Sequence, residues 1–304
     1  MHIAATQAVL LIALGAFSGL IGALVGIGGG IIVVPALVLG FGCGIKVAVA
    51  TSLVTVVATS TTAGSVWVGK GLANMRLGMT LEVATTLGGL SGGLLAALIS
   101  PSILAGLFGV LMGVTAALMM RKPATTAAAS NLAPRDQTPR AMNDAPARGA
   151  TEPDGTEEPG TLAGSYVDGE KRALVSYRVE RIWLGSVISF AAGILSGMLG
   201  VGGGFIKVPA MHLGMRVPIK VAAATSNFMI GVTAISSLFV YLARGLVHPA
   251  LAAPVALGTL AGSLVGTRVA RHVSATTLKR LLAAVLVLVA MQMMLQSAGV
   301  TLGH

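Results

Sequence analysis

GIGGGIIVVPALVLG, at residues 26–40, returns as GVGGGFIKVPAMHLG at residues 200–214. When the chain is compared with itself at a shift of 174 residues, 21 of the 47 positions from 26 to 72 are identical, and no gap is needed. The matches include charged residues in an apolar context, such as Lys46 with Lys220. Shared low complexity does not produce such matches, so the chain consists of two copies of one unit.

The composition is that of a membrane protein. Of the 304 residues, 55% are hydrophobic and only 10% are charged, whereas soluble proteins carry about 25% charged residues. Apolar runs of 18 or more residues can cross a hydrocarbon core of about 30 Å as helices. The sequence therefore predicts an all-α, multi-pass membrane protein with one repeat in residues 1–122 and the other in residues 179–304. The predicted spans are 5–25, 46–68, 77–99, 103–120, 182–199, 219–243, 250–270 and 277–296.

Each repeat also contains one apolar run that is too short to cross. Residues 31–41 and 204–214 follow the glycine triplets, and at 1.5 Å per residue each run reaches only about halfway through the membrane. We therefore expect each repeat to contain a re-entrant hairpin with its glycines at the tip. Pro35 and Pro209 are expected to shape these short helices.

The repeats are joined by a polar linker at residues 123–178. Nine of the ten acidic residues lie between Asp136 and Glu180, and the stretch is rich in Ala, Pro, Thr and Gly. This composition predicts a disordered cytoplasmic linker. A plain tether is favoured over a regulatory segment.

The basic residues set the predicted orientation. They stand singly between apolar runs, which is typical of the positive-inside rule and argues against nucleic-acid binding despite a net charge of +10. With the linker inside, the span 46–68 runs inward and its copy at 220–243 runs outward. The repeats are then inverted and both termini lie outside. Arg244 and Lys46 are the exceptions to the rule in this arrangement.

The glycine tips are the first candidate site. Three consecutive glycines interrupt a helix and leave backbone N–H groups without helical partners, at the positive end of the short helix that follows. Such an end suits an anion. The alternative is that the glycines only permit close helix packing. The repeat and the basic charge of the membrane segments favour the anion site, which comprises Gly28, Gly29, Gly30, Gly202, Gly203 and Gly204.

Lys207 is the second candidate. It lies three residues after the second triplet, where the first repeat has Val33. A lysine within the membrane costs roughly 2.5–3.5 kcal/mol on insertion scales, so it needs a partner or a water-filled cavity. An anionic substrate is the favoured partner, and a lysine that snorkels to the interface is the alternative.

Polar side chains of the long helices are weaker candidates. Their hydroxyl groups suit an oxyanion and equally suit backbone carbonyls of neighbouring helices. Lys46 and Lys220 lie at the ends of the hairpins. An interfacial role is favoured for them over attraction of anions into the site. Glu82, the only acidic residue in an apolar run, is either a proton carrier or, because Arg76 is close in sequence, an interfacial residue, and the second reading is favoured. The polar candidates are Thr51, Ser52, Thr225, Ser226 and Asn227.

Nothing in the sequence indicates an enzyme, a metal site or a cofactor. There is one cysteine, Cys43, and the five histidines are scattered without metal-ligand spacing. Near absence of acidic residues from the predicted spans argues against a cation carrier. Two function classes remain: a carrier of a small anion, and a membrane-embedded assembly or sensor protein that transports nothing.

The doubled motif resembles that of a known family. Two GxGGGxxxxPxL-like motifs, each followed by a KxAxATS segment, are similar to those of the TauE/SafE family, also called sulfite exporter or DUF81 permeases. The resemblance covers both halves, about 240 residues, and leaves out the linker; Met211 replaces a leucine that is common there. It implies a permease of the cell inner membrane that moves sulfite, a sulfonate or a related organic anion, coupled to an ion gradient.

Overall fold

The computed structural model describes residues 5–25, 28–69, 73–120, 162, 164–168, 173–269, 287 and 289–294. The described chain is mainly helical, which confirms the predicted fold class. The helices are α1 (Ala5–Val25), α2 (Gly30–Pro35), α3 (Ile45–Gly69), α4 (Met75–Leu98), α5 (Pro101–Met120), α6 (Ile182–Leu199), α7 (Gly204–Pro209), α8 (Ile219–Ala243) and α9 (Pro249–Val269).

Six of these helices, α1, α3, α4, α6, α8 and α9, are long and apolar enough to cross a membrane. The multi-pass architecture is thereby confirmed. Residues 289–294 are helical and fall inside the predicted span 277–296, the rest of which, apart from residue 287, lies outside the described residues.

Both short helices double back along the preceding helix. In the first repeat, Ser18 Oγ of α1 donates a hydrogen bond to the carbonyl oxygen of Gly29 at 2.6 Å, so the glycine tip lies beside the helix that leads into it. Each short helix continues as a π-helical turn, Ala36–Gly40 and Ala210–Gly214. Proline removes one backbone donor at the start of each turn, which favours the wider winding.

After the π-helical turn the chain reverses direction, and an equivalent backbone hydrogen bond closes this reversal in both repeats. Cys43 N–H donates to Leu37 O, and at the equivalent positions Val217 N–H donates to Met211 O, both at 3.0 Å. The predicted hairpins are therefore present, each with its glycines at the tip.

The helices of the two repeats exchange partners. α1 packs most extensively against α9, and α4 against α6, so the first long helix of each repeat lies on the helix of the other repeat that follows its long central helix, α3 or α8. Both pairs run parallel, and small residues allow the close approach that membrane helices need. A side chain at any of four glycines would collide with a carbonyl oxygen of the neighbouring helix: Gly88 with Phe190, Gly92 with Ile194, Gly262 with Ala16, and Gly266 with Leu20.

The two longest helices, α3 and α8, cross in the centre of the molecule. A Cβ at Gly231 would lie against Ser60, and a Cβ at Gly64 would lie 3.9 Å from the carbonyl oxygen of Asn227. A residue later in α3 thus faces one earlier in α8. These equivalent helices of the two repeats therefore run antiparallel.

A β-hairpin closes the linker. Strands β1 (Gly164–Asp168) and β2 (Ala173–Tyr177) pair in antiparallel register. This hairpin departs from the expectation that residues 123–178 are disordered throughout. The linker up to residue 161 lies outside the described residues.

Candidate functional site

The first glycine tip lies at the middle of the molecule. Gly28, in the left-handed region at φ 74°, sits between the two long helices. A Cβ there would be 3.4 Å from Val56 Cγ1 and 3.5 Å from Ile230 Cγ2. These two residues are equivalent in the repeat and each lies close to the midpoint of its helix, α3 or α8. The tip is therefore at about half the depth of both spanning helices.

The two tips meet at this depth. A Cβ on Gly30 would collide with the carbonyl oxygen of Gly200, so the backbones of the two hairpins are in contact. Ser52 Oγ donates to the same carbonyl oxygen at 2.7 Å. Gly200, Gly202 and Gly203 all have positive φ, at 69°, 82° and 68°, a conformation that favours glycine over residues with a Cβ.

A chain of three polar side chains includes Thr233, which lies three residues after Ile230 on α8, about one helical turn along that helix. Lys207 Nζ on α7 donates to Thr233 Oγ1 on α8 at 2.8 Å. Thr233 Oγ1 in turn donates to Glu82 Oε1 on α4 at 2.7 Å. Lys207 Nζ lies 3.9 Å from Glu82 Oε2. All three residues are buried, with 1%, 0% and 6% of their surface exposed.

The corresponding positions of the other repeat carry no such charged pair. At a shift of 174 residues, Lys207 corresponds to Val33, Thr233 to Thr59 and Glu82 to Ala256. Val33 and Thr59 are also buried, so two of the three corresponding positions are buried without carrying a charge. The two repeats share their fold and differ in this chemistry.

The location of Glu82 corrects the interfacial reading, because the carboxylate is buried between helices. Sequence distance misleads here because α4 begins deep in the protein. Asn74, which precedes α4, donates its backbone N–H to Thr225 Oγ1 at 3.0 Å, and Thr225 is already six residues into α8. At 1.5 Å per residue, the first turn of α4 therefore starts about 9 Å below the start of α8.

Lys207 is buried as expected and does not reach the interface. Its partner in the structure is Glu82, which the sequence did not pair with it because 125 residues separate them. Thr233 was not singled out at all. The repeat could have marked Thr233 as a candidate, because it is one of the positions that are identical in both copies, with Thr59 as its counterpart.

The candidate hydroxyl residues do not form one site. Thr51 and Ser226 lie on opposite sides of the point where α3 and α8 cross, roughly 20 Å apart along the helix axes. Thr51 Oγ1 and Ser226 Oγ are buried and have no hydrogen-bond partner. Asn227 is also buried. Ser52 donates its hydroxyl to a backbone carbonyl of the neighbouring hairpin, which is the structural role that the sequence left open for these hydroxyl groups.

Lys46 has a structural contact. Its Nζ donates to the carbonyl oxygen of Ala97 at 2.9 Å, in the last turn of α4, where the negative end of the helix dipole favours a cation. The side chain of Lys220 lies outside the described residues.

A family model described as "Sulfite exporter TauE/SafE" matches residues 11–293. The chain belongs to the TauE/SafE family. Members of the TauE/SafE family are membrane transporters rather than enzymes, so the non-transporting alternative is disfavoured for this chain.

The chain is also similar to several curated membrane proteins. The chain is 25% identical over 292 residues to a probable membrane transporter protein, YunE, of Bacillus subtilis, covering 94% of this chain and 96% of that protein. It is 34% identical over 111 residues to the TauE/SafE family protein 1 of Arabidopsis thaliana, covering 36% of this chain and 24% of that protein. A probable membrane transporter protein of Xylella fastidiosa is 31% identical over 91 residues, 30% of this chain and 35% of that protein. No solved structure matches the chain.

Proposed function

We propose that this TauE/SafE transporter carries a small anion, such as sulfite or a sulfonate, across the cell inner membrane, coupled to an ion gradient. The observation that carries the proposal is the buried Lys207, which lies in the short helix that follows the second glycine tip. A buried ammonium attracts an anion strongly because little water screens it. Two relatives in Arabidopsis are named sulfite exporter TauE/SafE family proteins, which agrees with an oxyanion as the substrate.

An anion at this position would be held by complementary groups. Lys207 supplies a full positive charge, and the glycine tips supply backbone N–H groups that lack a side chain in front of them. Hydrogen bonds to charged groups are stronger than those between neutral groups. Thr233, already bonded to Lys207, is placed to donate to an oxyanion oxygen in place of the Glu82 carboxylate.

Inverted repeats would let such a site open to either side. The antiparallel crossing of α3 and α8 and the parallel pairs α1–α9 and α4–α6 are the contacts that a two-fold axis in the membrane plane requires. An axis along the membrane normal would make α3 and α8 parallel. This arrangement supports the inverted topology and alternating access around a fixed central site.

The test is transport by the purified protein in proteoliposomes. Sulfite, sulfate, taurine, sulfoacetate and lactate are compared side by side, with protein-free liposomes as the blank. Saturable movement of sulfite or a sulfonate is expected, and sulfate or lactate competes weakly. If neither sulfite nor any sulfonate moves faster than in the blank, the proposed function is wrong.

A further inference from the structure

One atom of the buried charge pair is unsatisfied. Glu82 Oε1 accepts from Thr233 at 2.7 Å and from Thr86 at 3.4 Å. Glu82 Oε2 is buried and has no hydrogen-bond partner. Its distance to Lys207 Nζ, 3.9 Å, is beyond hydrogen-bond range. A buried carboxylate oxygen without a partner is costly, and it is a free position for a proton.

Among the described residues, few other charges surround Glu82. α4, which carries Glu82, packs against α6 and α8. α6 has no charged residue, α7 has only Lys207, and α8 has only Lys220 in its first turn. The one other charged residue of α4, Arg76, is exposed at its start. Tyr241 of α8 donates its hydroxyl to Gly197 O at 3.0 Å. Protonation of Glu82 therefore changes the charge of this site by a full unit.

The pair also occupies the position proposed for the substrate. The Glu82 carboxylate takes the negative place beside Lys207 and Thr233 that an anion needs. Thr233 has a second acceptor, the carbonyl oxygen of Met229 at 3.0 Å, so its hydroxyl can leave Glu82 without losing a partner. Carboxylate and substrate anion are therefore alternatives at Lys207.

We propose that Glu82 is the proton-binding residue that couples anion transport to protons in this chain, through competition between its carboxylate and the anion for Lys207. The inference rests on the proposed function. Without substrate, ionised Glu82 neutralises Lys207. With substrate, a proton from water binds Glu82, the carboxyl group becomes neutral, and the anion neutralises Lys207 instead.

Charge balance makes the coupling tight. The empty site, with one carboxylate and one ammonium, has no net charge, and neither does the loaded site, with a carboxylic acid, an ammonium and a monovalent anion. A proton alone or an anion alone leaves one uncompensated charge in a buried site, which is strongly disfavoured. One proton therefore accompanies each monovalent anion in the same direction, and the combined gradients set that direction.

The test uses the full chain in proteoliposomes and isethionate as the probe. This monovalent sulfonate keeps its charge at all mildly acidic to mildly alkaline pH values, whereas sulfite itself titrates near neutrality. An entrapped pH dye reports protons, and labelled probe reports the anion. We expect one proton per isethionate, and transport that falls about tenfold per pH unit on the alkaline limb, as for one required proton.

Glu82→Gln separates coupling from structure. The amide imitates the protonated carboxyl group and leaves Lys207 uncompensated in the empty site. Net movement of isethionate should therefore fall, while exchange of labelled for unlabelled isethionate should continue without protons and without pH dependence. Glu180→Gln is the matched control, because Glu180 also pairs with a basic residue, Arg216 at 3.0 Å, but at the exposed surface. It should keep the wild-type stoichiometry and pH profile.

Three results would overturn the inference. Wild-type transport of isethionate without proton movement refutes it and needs no variant. A Glu82→Gln protein that keeps the wild-type pH profile at lower amplitude shows that Glu82 is only structural. If wild type moves neither isethionate nor sulfite, the proposed function fails, and the coupling that rests on it fails too.

Discussion

At the scale of single residues, the buried pair changes what a lysine substitution should do. Lys207→Met leaves the Glu82 carboxylate buried beside an apolar side chain. Breaking a buried ion pair from one side costs about 3–5 kcal/mol, so we expect a marked loss of thermal stability in detergent. Transport at subsaturating substrate should also be lost, because the anion has no counter-charge.

The double variant Lys207→Met/Glu82→Gln is the control for this prediction. It removes both charges, so most of the stability should return while transport stays low. If the single variant is as stable as wild type, the two side chains do not form a pair in the folded protein.

Thr233 offers a second residue-scale prediction with a matched position in the other repeat. Thr233→Val removes the hydroxyl that joins Lys207 to Glu82. Hydrogen bonds to charged groups are worth about 1.5–3 kcal/mol, so transport should fall by about tenfold or more. Thr59→Val removes an equivalent hydroxyl that bonds only the backbone of its own helix, at Thr55 O. It should transport like wild type, and equal losses in both variants would contradict the role of Thr233.

These residues also show the limit of reading a site from sequence. Lys207 is conspicuous because a charge in an apolar run is rare. Its pairing with Glu82 is not visible, because the contact depends on how deeply α4 starts beneath α8. Helix depth is set by tertiary packing around Asn74 and Thr225, and hydropathy windows do not record it.

At the scale of elements, the glycine tips are constrained by backbone shape and by contact. Gly200 has φ 69°, and a Cβ there would collide with Ser52 Oγ. Left-handed backbone costs residues other than glycine about 1–2 kcal/mol. Gly200→Ala should therefore lower the melting temperature and transport together. Gly40→Ala is the control, because a Cβ there meets nothing within 4 Å, and equal effects of the two variants would contradict this reading.

The start of α4 is also the anchor of the β-hairpin. Asn74 Oδ1 accepts from Leu77 N–H at 3.0 Å and caps the helix. Its Nδ2 donates to Leu162 O and to Tyr177 Oη, at 3.2 and 3.0 Å. The sequence predicted the polar linker from composition, but a short hairpin that bonds to an asparagine has no compositional signal.

Asn74→Ala tests this anchor. We expect a loss of about 1 kcal/mol from the missing cap, together with faster amide hydrogen exchange at residues 164–168 and 173–177. Ser100→Ala is the comparison, because Ser100 Oγ accepts from Ile103 N–H at the start of α5 and does not touch the hairpin. Unchanged exchange in the hairpin of Asn74→Ala would show that other contacts hold it.

At the scale of the whole molecule, sequence repeats and packing units differ. The repeat predicts two halves, 1–122 and 179–304, and the reciprocal glycine contacts agree with that symmetry. Packing instead groups α1, α3 and α9 on one side and α4, α6 and α8 on the other. Each group contains helices from both repeats, and α3 meets α8 between the groups. Comparison of the sequence with itself reveals the repeat, but it does not show which helices of one repeat pack against helices of the other.

This grouping predicts which parts move during transport. In a background of Cys43→Ser, the pair Ser60→Cys/Gly231→Cys links α3 to α8 across the groups, and oxidation should stop transport reversibly. The pair Thr62→Cys/Ser263→Cys links α3 to α9 within one group, where the native hydroxyls are hydrogen-bonded, and oxidation should leave transport intact. Both are measured in proteoliposomes before and after reduction. If the α3–α8 disulfide forms and the oxidised protein transports as fast as the reduced protein, the two groups do not move against each other at this crossing.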